Sequence, residues 1–452
     1  MNQHINLSAI QPTVILSPIK SAVPAQGGAI ELMVRVQAPD QPAQPEGTNA
    51  KFTQKRLALV VDRSGSMDGQ PLHEALKCVE HIANSMTAQD QMSVVVYDDD
   101  VDVLVPLAPM QSAEAIKRAI AGVQSGGSTN LFGGWEQGAK QLDKGLYNSI
   151  SRVILLSDGQ ANHGLLEVSA IEQHCRDWLA KGVSTTTVGL GRGFNEDLMI
   201  AMARAGGGQQ YYGQTAADLY DSFDEEFSLL QALCLRQLDL KLIPAPGVIV
   251  EPLGMVQQNA DGSYRLSDLA WGSETWLMLR LHVSPSSARA PRDLLAASIQ
   301  GIALDGQTVI AHASLLSLPA VDAAAFAAMP VDEAMQRRLQ EVEFGQSSQA
   351  LRKLVQDGDI KAARTLMKAL EKQFGKNPWL QAKLERLREL AEHDPEMMSK
   401  EVMFSSVRFS QRLVAREEVA FSGDETQSAM PAYLRKKSEE GKGRAGRGKS
   451  TL

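Results

Sequence analysis

The chain has only three cysteines, Cys78, Cys175 and Cys234, spaced far apart and without a CxxC pair. So sparse and odd a set argues against a disulfide framework or a cysteine-based zinc site, and reads as buried thiols on helix faces. Aromatic residues make up 5% of the sequence, too few for a base-stacking surface. Positive charge is not in excess: 45 Lys and Arg stand against 53 Asp and Glu, a net charge of −8. No global attraction to nucleic acid or to an anionic membrane follows from that balance. No apolar run approaches the roughly 18 residues of a membrane-spanning helix. The opening residues MNQHINLSAIQPTVILSPIK lack the basic start, apolar core and small-residue cleavage site of a secretory signal. A soluble, cytoplasmic protein with no membrane role is therefore expected. Gly126-Gly127 and Gly206-Gly207-Gly208 lack the GK[ST] ending of a phosphate loop, and no GxGxxG opens a helix after the first strand. Nucleotide binding is not expected.

A length of 452 residues suggests about three domains. Residues 1–50 read as an N-terminal β segment, with strands over residues 1–37, where IELMVRVQ alternates apolar and polar positions, and then the Pro- and Gly-rich stretch APDQPAQPEGTNAK as a linker or exposed loop. Residues 54–231 alternate strands with helices, which predicts a doubly wound, mostly parallel sheet. Arg56–Val61, Met92–Tyr97, Arg152–Leu156 and Ser184–Gly189 are its strands, with an antiparallel edge strand at Asp102–Leu107 and a last one near Gln209–Tyr212. Residues 232–319 break into short strands, with Asp305-Gly306 as a hairpin signal. We expect this segment and residues 1–50 to form one β-sandwich-like domain into which the α/β domain is inserted. Residues 330–420 read as helices, the last spanning Pro395–Glu417. Residues 421–452 are polar, end in KKSEEGKGRAGRGKSTL, and read as a disordered, solubilising tail.

Against this background five polar residues stand out in three loops: Asp62, Ser64 and Ser66 in VVDRSGSMDG, Thr129 in SGGSTNLFGG, and Asp158 in RVILLSDGQANHG. They supply three hydroxyls and two carboxylates, all hard oxygen donors suited to Mg2+, which keeps several waters and needs few carboxylates. Softer metals prefer Cys or His. Asp62 and Asp158 each follow a predicted buried parallel strand, and in open α/β sheets ligands bind beyond the carboxyl ends of the strands, where strand order reverses. Alternation along the loop would turn Asp62, Ser64 and Ser66 toward one ion, with Gly65 accommodating the tight turn. A plainer alternative is that these residues only cap helices and turns.

At these positions the chain resembles the von Willebrand factor A-domain family. Asp62-Arg63-Ser64-Gly65-Ser66 matches its DxSxS pattern, Thr129 its loop threonine, and Asp158 in SDG its later aspartate. The resemblance covers roughly residues 54–231. It implies a metal ion-dependent adhesion site holding Mg2+ (or Mn2+ or Ca2+), and binding of a protein ligand through that ligand's Asp or Glu. Arg63 lies at the motif's variable second position and is expected at the rim facing the acidic partner.

The layout also resembles bacterial stand-alone A-domain proteins, and through them suggests a scaffold or adaptor. Some relatives work beside AAA+ ATPases and others beside Ser/Thr kinase and phosphatase pairs, so an accessory subunit of such a system is the runner-up. No enzymatic activity is expected. A hydrolase using Ser64 or Ser66 would need an apposed base, and His163 is the only nearby candidate. The acidic run Asp98-Asp99-Asp100 with Asp102 reads as a solvated turn rather than a second cation site.

Overall fold

A computed structural model of the chain describes residues 10–40, 54–143, 149–158, 161–190, 194–213, 215–285, 291–410 and 414–415. The stretch Pro42–Asn49 and the tail 421–452 lie outside them. The chain divides into two units, one of residues 43–233 with 304–306, the other of the remaining segments. No helix among the described residues is long and apolar enough to cross a membrane.

The second unit begins the chain with β1 (Thr13–Pro18) and β2 (Gly28–Gln37). The α/β unit then runs β3 (Gln54–Asp62), α1 (Gln70–Asn84), β4 (Gln91–Tyr97), β5 (Val101–Pro109), α2 (Ala113–Ile120), α3 (Leu131–Gln141), β6 (Ser149–Ser157), α4 (Val168–Ala180), β7 (Val183–Leu190), α5 (Glu196–Ala205), β8 (Gly207–Gly213) and α6 (Ala216–Ala232). Its six strands lie in the order β5-β4-β3-β6-β7-β8. All pairs are parallel except β4 with the edge strand β5. Nearly every residue of β3, β4, β6 and β7 is buried, which is why these strands read as unbroken apolar runs rather than alternating ones. Ser112 and Asn195 cap α2 and α5 through their side chains.

Two helices of this unit, α3 and α4, are not evident from apolar spacing. The sequence of α3, LFGGWEQGAKQ, reads as a glycine-rich loop because glycine is a poor helix former. Packing overrides that preference. A Cβ on Gly134 would stand 2.4 Å from the Tyr97 ring, and one on Gly138 would stand 2.3 Å from Val60 Cγ2. The glycines let the helix lie directly on the sheet.

In the other unit, β9 (Leu233–Pro244), β10 (Val248–Pro252), β11 (Ser273–Val283), β12 (Arg292–Ala303) and β13 (Thr308–His312) follow. One antiparallel sheet has the order β1-β2-β11-β10. Its central pairing, from Glu274 with Gln37 to Val283 with Gly28, joins chain from both sides of the α/β unit. The other sheet centres on β9, β12 and β13, and its last hairpin turns at Asp305-Gly306, closed by Ala303 N–H donating to Gln307 O.

Helices α7 (Ala323–Ala328), α8 (Glu333–Gln356), α9 (Ile360–Phe374), α10 (Pro378–His393) and α11 (Pro395–Ser410) follow. Met335 and Val342 of α8 pack with Trp276, Met278 and Met33. The helix expected over Pro395–Glu417 ends at Ser410, and Val414–Ala415 instead pair with Ser273 and Glu274. Cys78 and Cys175 are buried on helices, whereas Cys234 is buried on β9.

Candidate metal-binding site

Strands β4 and β6 flank β3 on opposite sides, so the carboxyl ends of β3 and β6 form the point where strand order reverses. Asp62 is the last residue of β3, and Asp158 directly follows β6. Asp62 is fully buried and Asp158 is 8% exposed. The Asp62 carboxylate is held from three directions. Its Oδ1 accepts from Ser64 N–H at 2.8 Å, and its Oδ2 accepts from Ser157 Oγ at 2.6 Å and from the Tyr97 hydroxyl at 3.3 Å. Burial pushes the Tyr97 phenol well above its ordinary range, so it stays a donor.

The hydroxyls continue the cluster. Ser64 Oγ lies 3.2 Å from Ser66 Oγ, and Ser66 Oγ donates to Asp158 Oδ1 at 3.1 Å. Ser64 begins a short 3-10 turn at Gly65–Met67, yet its side chain makes no capping bond there. Asn130, not Thr129, caps α3, and Glu167, not Asp158, caps α4. Helix capping therefore does not explain these side chains, although Asp62 Oδ1 does close a local turn with Ser64 N–H. Gly65 is not in a left-handed conformation. That role falls to Gly69, at φ 75°, while Gly65 N–H donates to Gly127 O across the loops.

Thr129 is 3% exposed. Its loop is tied to the others by that Gly65–Gly127 bond and by Gly126 N–H donating to Arg63 O. Asn162 Oδ1 accepts from Thr129 N–H at 2.7 Å. The structure thus links Asp62, Ser64, Ser66 and Asp158 through side chains and brings in Thr129 through its backbone.

Arg63 turns toward the acidic run. Its guanidinium contacts Asp98 Oδ2 at 2.9 Å and Asp102 Oδ2 at 2.8 Å, and Asp99 Oδ1 accepts from Ser128 N–H. The run is the solvated turn expected between the edge strands, with Asp99, Asp100 and Asp102 exposed, and it also fastens the site's loops through Arg63 and Ser128. Edge-strand charge alone gave no hint of this, because the Arg63 partner comes from another strand's loop.

Electrostatics sets Asp62 and Asp158 apart. Neither is paired with a Lys or Arg among the described residues, whereas the buried Glu226, Asp90 and Glu274 each face a cation: Arg152, Lys55 and Arg35. Burial pushes the Asp62 carboxyl up, opposed by its hydrogen bonds. Burial, with a smaller contribution from the Asp62 charge, pushes Asp158 up to about 6. No three His, Cys, Asp or Glu side chains converge on a metal position among the described residues. A cation here would draw its remaining donors from the hydroxyls. The donor chemistry fits a hard divalent ion: two uncompensated carboxylates and converging hydroxyls, with no sulfur or imidazole. Ser157, Tyr97 and Asn162 are hydrogen-bonded neighbours of the cluster that motif spacing alone does not single out. Tyr97 was nonetheless available from strand register, since it stands opposite Asp62.

A mostly parallel sheet wound by helices, with an oxygen-rich cluster at its switch point, defines a doubly wound α/β domain. Residues 57–225 match the von Willebrand factor type A domain family. Such domains generally bind proteins and often bind divalent cations. An uncharacterized protein of Synechocystis is 27% identical over 244 residues, covering 50% of this chain and 57% of that protein. The chain thus aligns with little more than half the length of that relative. Among solved structures, a von Willebrand factor type A protein from Catenulispora acidiphila superposes with a TM-score of 0.67 at 15% identity, covering 91% of this chain and 99% of that one. The ArnB paralog VWA2 from Sulfolobus acidocaldarius gives 0.55 at 16% identity, covering 86% and 96%. At these identities the likeness is one of fold.

Proposed function

We propose that the protein is a metal-dependent protein-binding scaffold or adaptor of the cytoplasm, with no catalytic role, that captures an Asp or Glu of its partner at the Asp62–Asp158 cluster. One observation carries this reading: two buried carboxylates, with no Lys or Arg paired to them among the described residues, converge with serine hydroxyls that cap no helix. Asp62, Ser64, Ser66, Thr129 and Asp158 would hold Mg2+, with Mn2+ or Ca2+ as substitutes. When bound, the ion supplies a hard Lewis-acid position at which a partner's carboxylate completes the oxygen shell. Two carboxylates and the hydroxyls would leave positions of the ion's oxygen shell to water, and a carboxylate from the partner would take one of them. Ser157 and Tyr97 orient Asp62, and Ser66 orients Asp158. Arg63 at the rim would meet the partner while anchored to Asp98 and Asp102.

The hydrolase alternative is disfavoured because the Ser64 and Ser66 hydroxyls engage each other and Asp158 rather than a histidine ring. Service as an accessory subunit of an AAA+ ATPase or of a kinase and phosphatase pair is compatible with the same site. Stimulation of such an ATPase would favour it.

Affinity capture from the source cell on immobilised protein, in Mg2+ and in chelator, tests the proposal. A partner retained in Mg2+, released by chelator and not retained by Thr129→Val supports it. A partner retained equally under all three conditions overturns it.

A further inference from the structure

The segment after Asp158 turns back onto the Thr129 loop. Asn162 Oδ1 accepts from Thr129 N–H at 2.7 Å, and Thr129 O accepts from both Asn162 N–H at 3.2 Å and His163 N–H at 3.3 Å. Both backbone polar groups of Thr129 are thus bonded to this one segment. Contact continues at the next residues. Gly164 has φ 76°, and a Cβ there would lie 2.4 Å from Asn130 Oδ1, the atom that caps α3. Asn130 N–H in turn donates to Asp98 O. The Thr129 backbone is therefore clamped between the Asp158 loop and the loop after β4.

Resting on the metal-site reading above, we propose that Asn162 is a positioning residue for metal binding: its side-chain amide oxygen fixes the Thr129 backbone, and so sets where the Thr129 hydroxyl stands relative to Asp158. Asn162 itself is exposed, and its side chain buries little apolar surface. Its contribution is therefore specific to the bond it makes rather than to packing. Outer partners of this kind, which hold a ligand in place, typically change metal affinity about 10- to 100-fold when removed.

The test is Mn2+ titration of the full chain by calorimetry, in wild type, Asn162→Ala, Thr129→Val and the double variant, with amide hydrogen exchange at Thr129 in metal-free protein. We expect Asn162→Ala to weaken Mn2+ binding about tenfold. It should add little in the Thr129→Val background, because a residue acting through Thr129 has nothing left to position. The Thr129 amide should exchange faster in Asn162→Ala and regain protection in Asn162→Asp, which keeps the acceptor oxygen. Equal Mn2+ affinity in wild type and Asn162→Ala, with wild type binding normally, overturns this inference alone. So does an effect that is additive with Thr129→Val. Failure of wild type to bind Mn2+ overturns the metal site itself, and this inference with it.

Discussion

Ser66 Oγ donates to Asp158 Oδ1 at 3.1 Å, a bond that joins the loop after β3 to the loop after β6. It is one of few groups favouring a charged Asp158, whose carboxyl is pushed up to about 6 by burial and by Asp62. The sign of the consequence follows from linkage. A carboxyl whose folded-state pKa lies above its unfolded value binds protons more tightly when folded, so this contribution costs stability as pH rises through about 6. Metal-free Asp158→Asn is expected to be more stable than metal-free wild type at pH 7.5, with the difference shrinking toward pH 4. Thermal unfolding of both proteins in chelator at the two pH values checks it.

Mg2+ should reverse the same penalty. An ion that binds the folded state and not the unfolded one raises stability by mass action. The wild-type melting temperature at pH 7.5 is expected to rise with Mg2+, and that of Asp158→Asn to respond much less. Scanning calorimetry with and without Mg2+ reads this directly.

Glu226 offers a purely structural prediction. Its Oε1 accepts from Arg152 and from Thr186 Oγ1, and its Oε2 accepts from the Tyr211 hydroxyl. Both ionic partners are buried. Removing one member of such a pair leaves a buried charge without its partner, at about 3–5 kcal/mol. Glu226→Ala is expected to lower urea stability by roughly that amount, while the metal-binding loops keep their geometry.

Gly138→Ala tests why α3 escapes detection by residue preference. In a free helix the change would help by up to about 1 kcal/mol. Here the added methyl meets Val60 Cγ2, and overpacking of this kind costs about 1–3 kcal/mol. A net loss of stability on denaturant titration is the expected result.

That helix illustrates what the sequence does and does not reveal. The strands of the α/β unit are legible because they are buried on both faces, and Asp62 and Asp158 because each ends such a strand. The pairing of β2 with β11 was expected only as a shared β domain, since register is fixed by contacts between segments far apart in sequence. Helix α3 was hidden because three glycines mask a helix whose purpose is close approach to the sheet. The Arg63 ion pairs with Asp98 and Asp102, and the Asn162 bond to Thr129, depend on loops meeting in space, which no local pattern encodes.

Thr129→Val removes one oxygen while keeping the side chain's shape. The loss of a charge-assisted contact is worth on the order of 1.5–3 kcal/mol, or roughly ten- to a hundredfold in affinity. Partner capture should fall by that factor in Mg2+ and should not fall much further in chelator, whereas folding should change little. Surface plasmon resonance with a captured partner, and circular dichroism for the fold, separate the two effects.

The most direct measurement is calorimetric titration of Mg2+ or Mn2+ into the full chain at pH 7.5, in wild type and in Asp62→Ala. A single oxygen-lined site predicts about one ion per chain, lost in Asp62→Ala while circular dichroism shows the fold intact. Absence of binding by wild type, or equal binding by Asp62→Ala, would contradict the assignment of the metal to the cluster at the ends of β3 and β6.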